Sequence, residues 1–261
     1  MSAPSLVAAG AGLAGLALSL RFHWWRPRRP GVPILMYHQV AAHKGGSPLN
    51  RWRVPPADFA RQLDHLAALG LRGVTLRELL DEPGGSEKRV VLTFDDGYEA
   101  IRTVALPLLR ARGFSATVFA VSGRLGGTND WDRERPGESL LSADGLRELH
   151  AAGIEIGSHG ATHRALTSLA DAELAAESAG SRAALEEILA APVVSFCYPY
   201  GAFDARTVDA VRRAGYRAAT VIRGGIPPDL SDPFLLPRVV VRGTDTFFDF
   251  RLALTRGRSK F

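Results

Sequence analysis

Cysteine is nearly absent from this chain of 261 residues, since Cys197 is the single one. An intramolecular disulfide is therefore excluded, and cysteine usage does not indicate the compartment. Acidic residues are missing before Asp58. The glycine pattern at residues 10–15 formally matches a dinucleotide-binding fingerprint, but that motif needs an acidic residue about 20 positions later. We therefore exclude dinucleotide binding by this segment.

The net charge of +5 is unevenly distributed along the chain. Residues 21–30 contain four Arg and residues 251–261 contain three Arg and one Lys, with no acidic residue in either segment. The remainder carries three net negative charges. An acidic core does not favour nucleic acid as a partner. Basic ends fit an anionic membrane surface better.

Charged residues are also missing from residues 2–20, which would span roughly 28 Å as a helix and could cross a bilayer. Trp24 and Trp25 follow, flanked by arginines. We predict an N-terminal transmembrane helix within residues 1–30 and a single-pass protein of the cell membrane. A cleaved signal peptide is the alternative, but it normally starts with basic residues. The arginines after the apolar run favour a cytoplasmic catalytic domain, with an external domain as the alternative, so the side of the membrane stays open.

An apolar run at residues 90–94 ends at Asp95, Asp96 and Gly97. It predicts a buried strand that ends in chemically active groups. Adjacent strand residues point in opposite directions unless the chain turns, which Gly97 permits, so we expect two different roles for the carboxylates. An acidic turn that caps the next helix is the alternative.

His159 and His163 follow another short predicted strand at residues 154–156. Their spacing would suit one helical face, but Gly157 and Gly160 favour a loop that wraps around one point. Two His and one carboxylate form an open catalytic set for zinc, although iron and related ions use the same set.

Predicted strands and helices alternate through the chain, which indicates a parallel sheet with helices outside. Further strands are predicted at 34–38, 116–120, 193–198 and 217–222, and helices at 58–69, 99–112, 142–152, 171–189 and 204–214. About seven βα units could close into a barrel with its site at the carboxyl ends of the strands. We predict a catalytic domain at 31–250 and a basic tail at 251–261.

The motifs at residues 93–97, 158–163 and 198–201 together resemble those of the polysaccharide deacetylases of carbohydrate esterase family 4. The resemblance covers about residues 32–241 and implies a distorted (β/α)7 barrel. It implies that Asp95 is the catalytic base and that Asp96, His159 and His163 bind a divalent metal, for which we expect Zn²⁺. It also implies that the backbone N–H of Tyr200 completes an oxyanion hole; a rigid turn is the alternative.

The chain departs from the common family pattern at two points. Cys197 stands where many members have an arginine, and the late motif with a catalytic histidine is absent. Arg238 could supply the missing charge beside Asp95, or be an ordinary surface arginine, and Cys197 is interpreted as a small buried hydrophobic residue. We predict His38 as the general acid, because the other histidines lie in the metal motif, the membrane flank, a loop or helices.

We predict a metal-dependent hydrolase that removes N-acetyl groups from amino-sugar polysaccharides or oligosaccharides. A deacylase of a lipid-linked sugar at the membrane is the second hypothesis, and a catalytically silent carbohydrate-binding protein the third. Retention of Asp95 argues against the silent protein, because a binder needs no base. Trp131 could stack on a sugar ring or pack under its own loop.

Overall fold

The computed structural model describes residues 27–84, 88–131 and 137–257, together with Gly15. A parallel sheet forms the centre of the described fold. Its strands are β1 (Ile34–Tyr37), β4 (Arg72–Val74), β5 (Arg89–Phe94), β6 (Thr117–Ala120), β7 (Glu155–Ser158), β8 (Ser195–Cys197), β9 (Ala218–Gly224) and β10 (Leu236–Val240). A small separate sheet pairs β2 (Gln39–Val40) with β3 (Arg53–Val54).

The sheet closes into a barrel because β1 pairs with β10 on one side and with β5 on the other. The closed ring contains β1, β5, β6, β7, β8, β9 and β10, so the predicted (β/α)7 barrel is confirmed. β4 lies outside the ring. It pairs with residues 89–91 of β5, while β6 pairs with residues 93–94 of the same strand.

Helices cover the outside of the barrel. They are α1 (Pro56–Ala68), α2 (Leu76–Asp81), α3 (Leu106–Arg110), α4 (Ala143–Ala151), α5 (Asp171–Ala175), α6 (Ser181–Leu189), α7 (Ala205–Arg213) and α8 (Phe247–Arg256). A π-helical segment at Ile101–Ala105 leads into α3, and another at Ala176–Gly180 joins α5 to α6. The predicted strands and helices are confirmed with shifted ends; the helix predicted at 99–112 begins at Ile101.

Four elements of the barrel region escaped the sequence prediction: β4, α2, β10 and α8. β4 has only three residues, and α2 is a short helix that begins with a capping box between Thr75 and Glu78. β10 contains Pro237, a residue that normally argues against a strand. The short length of β4 and α2 and the proline in β10 explain why the sequence did not predict these three elements.

The burial of β5 explains the apolar run at residues 90–94 of the sequence. All its residues are buried, as expected for a parallel strand covered on both faces.

The described helices include none with the length and apolar character to cross a bilayer. The transmembrane helix predicted within residues 1–30 rests on the apolar segment 2–20, which apart from Gly15 lies outside the described residues. α8 crosses residue 250, where we predicted a domain boundary.

Candidate active site

The carboxyl ends of the barrel strands bring the predicted site residues together, as the barrel architecture requires. His38 follows β1, Asp95 and Asp96 follow β5, His159 and His163 follow β7, Tyr200 follows β8, and Arg238 lies within β10. Six of these seven residues line or contact one cavity of about 200 Å³ with Trp52, Trp131 and Ile222. Arg238 lies behind it, bonded to Asp95.

The two adjacent carboxylates reach the same cavity because the chain turns under them. Asp96 and Gly97 both have positive φ, 73° and 74°. Asp95 still belongs to the strand ladder, since its N–H bonds to the carbonyl of Tyr37 at 3.0 Å. Because of the turn, both side chains reach one cavity, but their partners differ. Asp95 pairs with Arg238, and Asp96 lies beside His159 and His163.

Asp96, His159 and His163 converge on a single point. Asp96 Oδ1 lies 3.4 Å from His159 Nε2 and 3.3 Å from His163 Nε2, and all three residues are buried. Oδ1 nevertheless has no hydrogen-bond partner among the described residues. A buried carboxylate oxygen without a partner is costly, and one cation between the three ligand atoms would satisfy it. These residues therefore fit a divalent metal ion.

The two histidines are held in different ways. His159 Nδ1 lies 2.7 Å from the carbonyl oxygen of Cys197. Donation to this carbonyl puts the proton on Nδ1 and leaves the Nε2 lone pair for a metal, a common arrangement of histidine ligands. His163 has a positive φ of 59°, and Trp131 stacks on its ring at 4.4 Å. Its orientation depends on the loop and on ring packing.

Asp95 forms a buried, bidentate ion pair with Arg238. Nη1 donates to Oδ1 at 2.6 Å and Nη2 donates to Oδ2 at 2.8 Å, with the two residues 2% and 0% exposed. Burial raises the pKa of Asp95, but the Arg238 charge and its hydrogen bonds hold that pKa below its ordinary value. Arg238 is thus no surface arginine, and its position matches the one proposed from the sequence.

Cys197 is buried, as its position in a strand predicted, but it is not merely a hydrophobic residue. Its sulfur accepts from Arg238 Nη2 at 3.2 Å and lies 3.6 Å from Asp95 Oδ2, to which the thiol donates weakly. Thr93 also contacts Arg238, with Nη1 3.0 Å from Oγ1. The sequence interpretation missed these polar contacts.

His38 lies beside the carboxylates with its ring 4.4 Å from that of Trp52. Its Nδ1 has no hydrogen-bond partner among the described residues, so the alternative of a histidine bonded within the strand end finds no support at this atom. Burial lowers the pKa of His38, and the charges of Asp96 and Asp95 partly oppose this effect. Trp52 was missed because a single aromatic residue in a polar segment of the sequence carries no signal.

Tyr200 and Trp131 form the outer wall of the cavity. Tyr200 is 57% exposed, has a φ of 58°, and its ring lies edge-on to His163 at 4.6 Å. With Trp131 and His163 it also borders a neighbouring groove of about 420 Å³ lined by Arg124, Asp130, Thr162, Arg164, Ala165 and Ser168. The cavity therefore continues into a polar groove. Trp131 stacks on His163 and lines both the cavity and the groove, so its stacking on a sugar ring stays a prediction.

The family model for polysaccharide deacetylases matches residues 82–219, which contain all three motifs. The chain belongs to the polysaccharide deacetylase family. YxkH of Bacillus subtilis (strain 168) is 27% identical to this chain over 223 residues, which cover 84% of this chain and 74% of YxkH. The poly-β-1,6-N-acetyl-D-glucosamine N-deacetylase of Staphylococcus epidermidis is 25% identical, covering 86% of this chain and 78% of the relative.

Solved structures of similar chains have the same fold. The polysaccharide deacetylase BC0361 from Bacillus cereus is 26% identical with a TM-score of 0.73, covering 86% of this chain and 69% of that one. IcaB from Ammonifex degensii is also 26% identical with a TM-score of 0.73, covering 88% of this chain and 97% of that one. The similarity thus extends over the whole barrel of this family member.

Proposed function

We propose that this chain is a metal-dependent N-deacetylase that removes acetyl groups from an N-acetylated amino-sugar polymer. One observation carries the proposal: Asp95, held in a bidentate pair by Arg238 behind the cavity, lines the same cavity as the converging side chains of Asp96, His159 and His163. A carbohydrate-binding protein would need no buried base beside such a ligand set. The similarity to a poly-β-1,6-N-acetyl-D-glucosamine N-deacetylase supports the choice of polymer.

The ligand set supports a divalent cation, and we propose Zn²⁺ because two imidazoles and one carboxylate suit it. Bound there, the ion would polarise the acetyl carbonyl and lower the pKa of a water molecule. The unpartnered Asp96 Oδ1 and the Nδ1 contact of His159 support this assignment.

The other residues have roles in moving protons and holding charge. Asp95 accepts the proton of the attacking water, and Arg238 keeps Asp95 ionised and oriented for that step. His38 delivers a proton to the departing amine, since an amine cannot leave as an anion. The backbone N–H of Tyr200 stabilises the developing oxyanion. These roles are supported by the placement of all four residues in or behind one cavity.

The shape of the site supports a polymeric substrate. The cavity of about 200 Å³ suits an acetamido group, and the adjoining groove of about 420 Å³ offers room for a neighbouring sugar unit. Arg124, Asp130, Thr162 and Ser168 supply polar groups along this groove. A lipid-linked sugar remains the second candidate, because the predicted membrane anchor at residues 1–30 would place the enzyme near such a substrate.

The test is release of acetate by the metal-replete, full-length chain. Three substrates are compared: β-1,6-linked N-acetylglucosamine oligomers, chito-oligosaccharides and an N-acetylated polyprenyl-linked sugar. We expect acetate from the oligomers, loss of activity after chelation and recovery with Zn²⁺. Preferential turnover of the lipid-linked sugar would favour the second candidate. A metal-replete chain that releases no acetate from any of them would contradict the proposal.

We also propose that residues 1–30 anchor the enzyme in the cell membrane. The sequence of this segment supports the anchor, and its charge bias supports a cytoplasmic catalytic domain. Membrane fractionation tests the anchor, and protease digestion of intact cells tests the side. Digestion of the catalytic domain from outside would contradict the cytoplasmic orientation.

A further inference from the structure

A buried glutamate, Glu177, contacts the loop between the two histidines of the proposed metal site. Its Oε2 accepts from the backbone N–H groups of Ala161 at 2.7 Å and Thr162 at 3.0 Å. Its Oε1 accepts from the hydroxyl of Thr162. Glu177 is 4% exposed, and neither the sequence motifs nor the assigned roles include it. The side-chain hydrogen bonds that Glu177 forms with the described residues are therefore all made to this loop.

The helix over residues 171–189 changes its geometry where it carries this glutamate. Glu177 lies in the π-helical segment Ala176–Gly180, between α5 and α6. Such segments add a residue to a turn and occur frequently at functional sites. In the next turn, Ser181 Oγ lies 2.8 Å from Ser158 Oγ, just before His159. The helical region thus contacts the loop at Ser158, where the loop begins, and at residues 161–162, near its end.

Gly160 allows the loop to approach the carboxylate. It has a φ of 80°, and an added Cβ would lie 2.6 Å from Glu177 Oε2. On the opposite side, Ser122 N–H donates to the carbonyl of Gly160 at 3.1 Å and Gly123 N–H donates to that of Ala161 at 2.8 Å. The loop is therefore held between Glu177 and the turn after β6.

We propose that Glu177 is a positioning residue that sets the distance between the Nε2 atoms of His159 and His163. His163 depends on this support most, because its φ is 59° and its Nδ1 has no hydrogen-bond partner among the described residues. Unfavourable backbone conformations of this kind persist only where the surroundings enforce them. The inference rests on the proposed metal site and adds a determinant of its affinity.

The test measures Co²⁺ binding to the metal-free, full-length chain by its visible absorption spectrum. We expect Glu177→Ala to weaken Co²⁺ binding by about 10- to 100-fold and to change the shape of the spectrum. Glu177→Gln retains an acceptor and should recover most of the affinity. Glu187→Ala is the matched control, because Glu187 is an exposed residue of α6 and should leave binding unchanged.

Thermal unfolding of the metal-free variants separates positioning from general stability. A purely structural glutamate would lower the unfolding temperature while folded protein bound Co²⁺ normally, and a folded Glu177→Ala variant with affinity within twofold of the original chain would overturn the inference. If Glu177→Ala does not fold, Thr162→Val decides, since it removes one donor to Glu177. A several-fold weaker affinity supports the inference, and an unchanged affinity and spectrum refute it.

The same titration keeps this inference apart from the proposed function. If the original chain binds no Co²⁺, or if Asp96→Asn binds it equally well, the proposed metal site fails. If the original chain binds Co²⁺ through Asp96 and Glu177→Ala binds it equally well, the metal site stands and only the role of Glu177 is lost.

Discussion

The two halves of the active site differ in how the protein satisfies their polar atoms. On one side, both oxygens of Asp95 receive hydrogen bonds from Arg238. On the other side, Asp96 Oδ1 and His163 Nδ1 have no partner among the described residues, and both residues have positive φ. The Asp95 half is complete within the protein. The Asp96 half has ligand atoms and backbone strain that are understandable if an ion binds there.

The first test of this comparison replaces each of the two carboxylates in a separate variant. Asp95→Asn should lower kcat/KM by about 10²- to 10⁴-fold and keep metal affinity, because the base is lost and the ligands remain. Asp96→Asn should lose metal affinity as well as activity. Acetate release and Co²⁺ titration measure the two properties, with the exposed Asp144→Asn as control. Equal loss of metal in both variants would contradict the division of roles.

The sequence identified the carboxylates and histidines of the site better than the residues that contact them. Asp95, Asp96, His159 and His163 stand out because each follows an apolar run, and strand ends meet in a parallel barrel. Trp52, which contacts the predicted acid, gave no such signal. It ends a 3₁₀ helix (Pro48–Trp52) between β2 and β3, two paired strands of two residues each.

Long-range contacts explain the other omissions. Glu177 reads as an ordinary polar residue of a helix, and only the π-helical segment turns it towards residues 161–162. Cys197 reads as a core residue, since its contacts come from residues 102 positions earlier and 41 later. Hydrophobic periodicity reports which face of an element is buried but not which partner it finds.

The second prediction sharpens the comparison at His38, which lies beside both halves. His38→Ala should keep the fold and metal affinity and lower amide turnover by about 10²-fold, with a smaller loss on an activated ester whose leaving group needs no proton. Because the pKa of His38 is lowered, the protonated acid is lost as pH rises through a value below the ordinary one, and the variant should lose that basic limb of kcat/KM.

Amide and ester turnover across pH measure this effect. His150→Ala is the control, since His150 is exposed on α4. Near-normal amide turnover in a metal-replete His38→Ala enzyme would eliminate the assignment.

The third prediction weakens the complete half by replacing Arg238 with lysine. Lysine keeps a charge but cannot form the bidentate pair, so burial should raise the pKa of Asp95. Asp95 works as a base only when ionised, and its depressed pKa keeps it ionised as pH falls. The acidic limb of the kcat/KM profile should therefore move to higher pH. A move of about one pH unit corresponds to a tenfold loss of kcat/KM at pH values below the limb.

The matched control is Arg89→Lys, because Arg89 is a buried arginine at the opposite end of β5. It should lower the free energy of unfolding without moving the acidic limb. Circular dichroism at each pH confirms that both variants remain folded. An acidic limb that stays in place in Arg238→Lys would show that Arg238 does not set the protonation of Asp95.

The smallest effect is expected at Cys197, which touches the same pair more weakly. Cys197→Ala removes a thiol that lies 3.6 Å from Asp95 Oδ2, while both Arg238 bonds to Asp95 remain. We expect kcat/KM to fall less than tenfold and the free energy of unfolding to fall by roughly 1 kcal/mol, because a small buried side chain is shortened. A loss above 100-fold in folded, metal-replete enzyme would instead place the thiol among the groups that act on the substrate. The Asp95–Arg238 pair alone would then no longer account for the base.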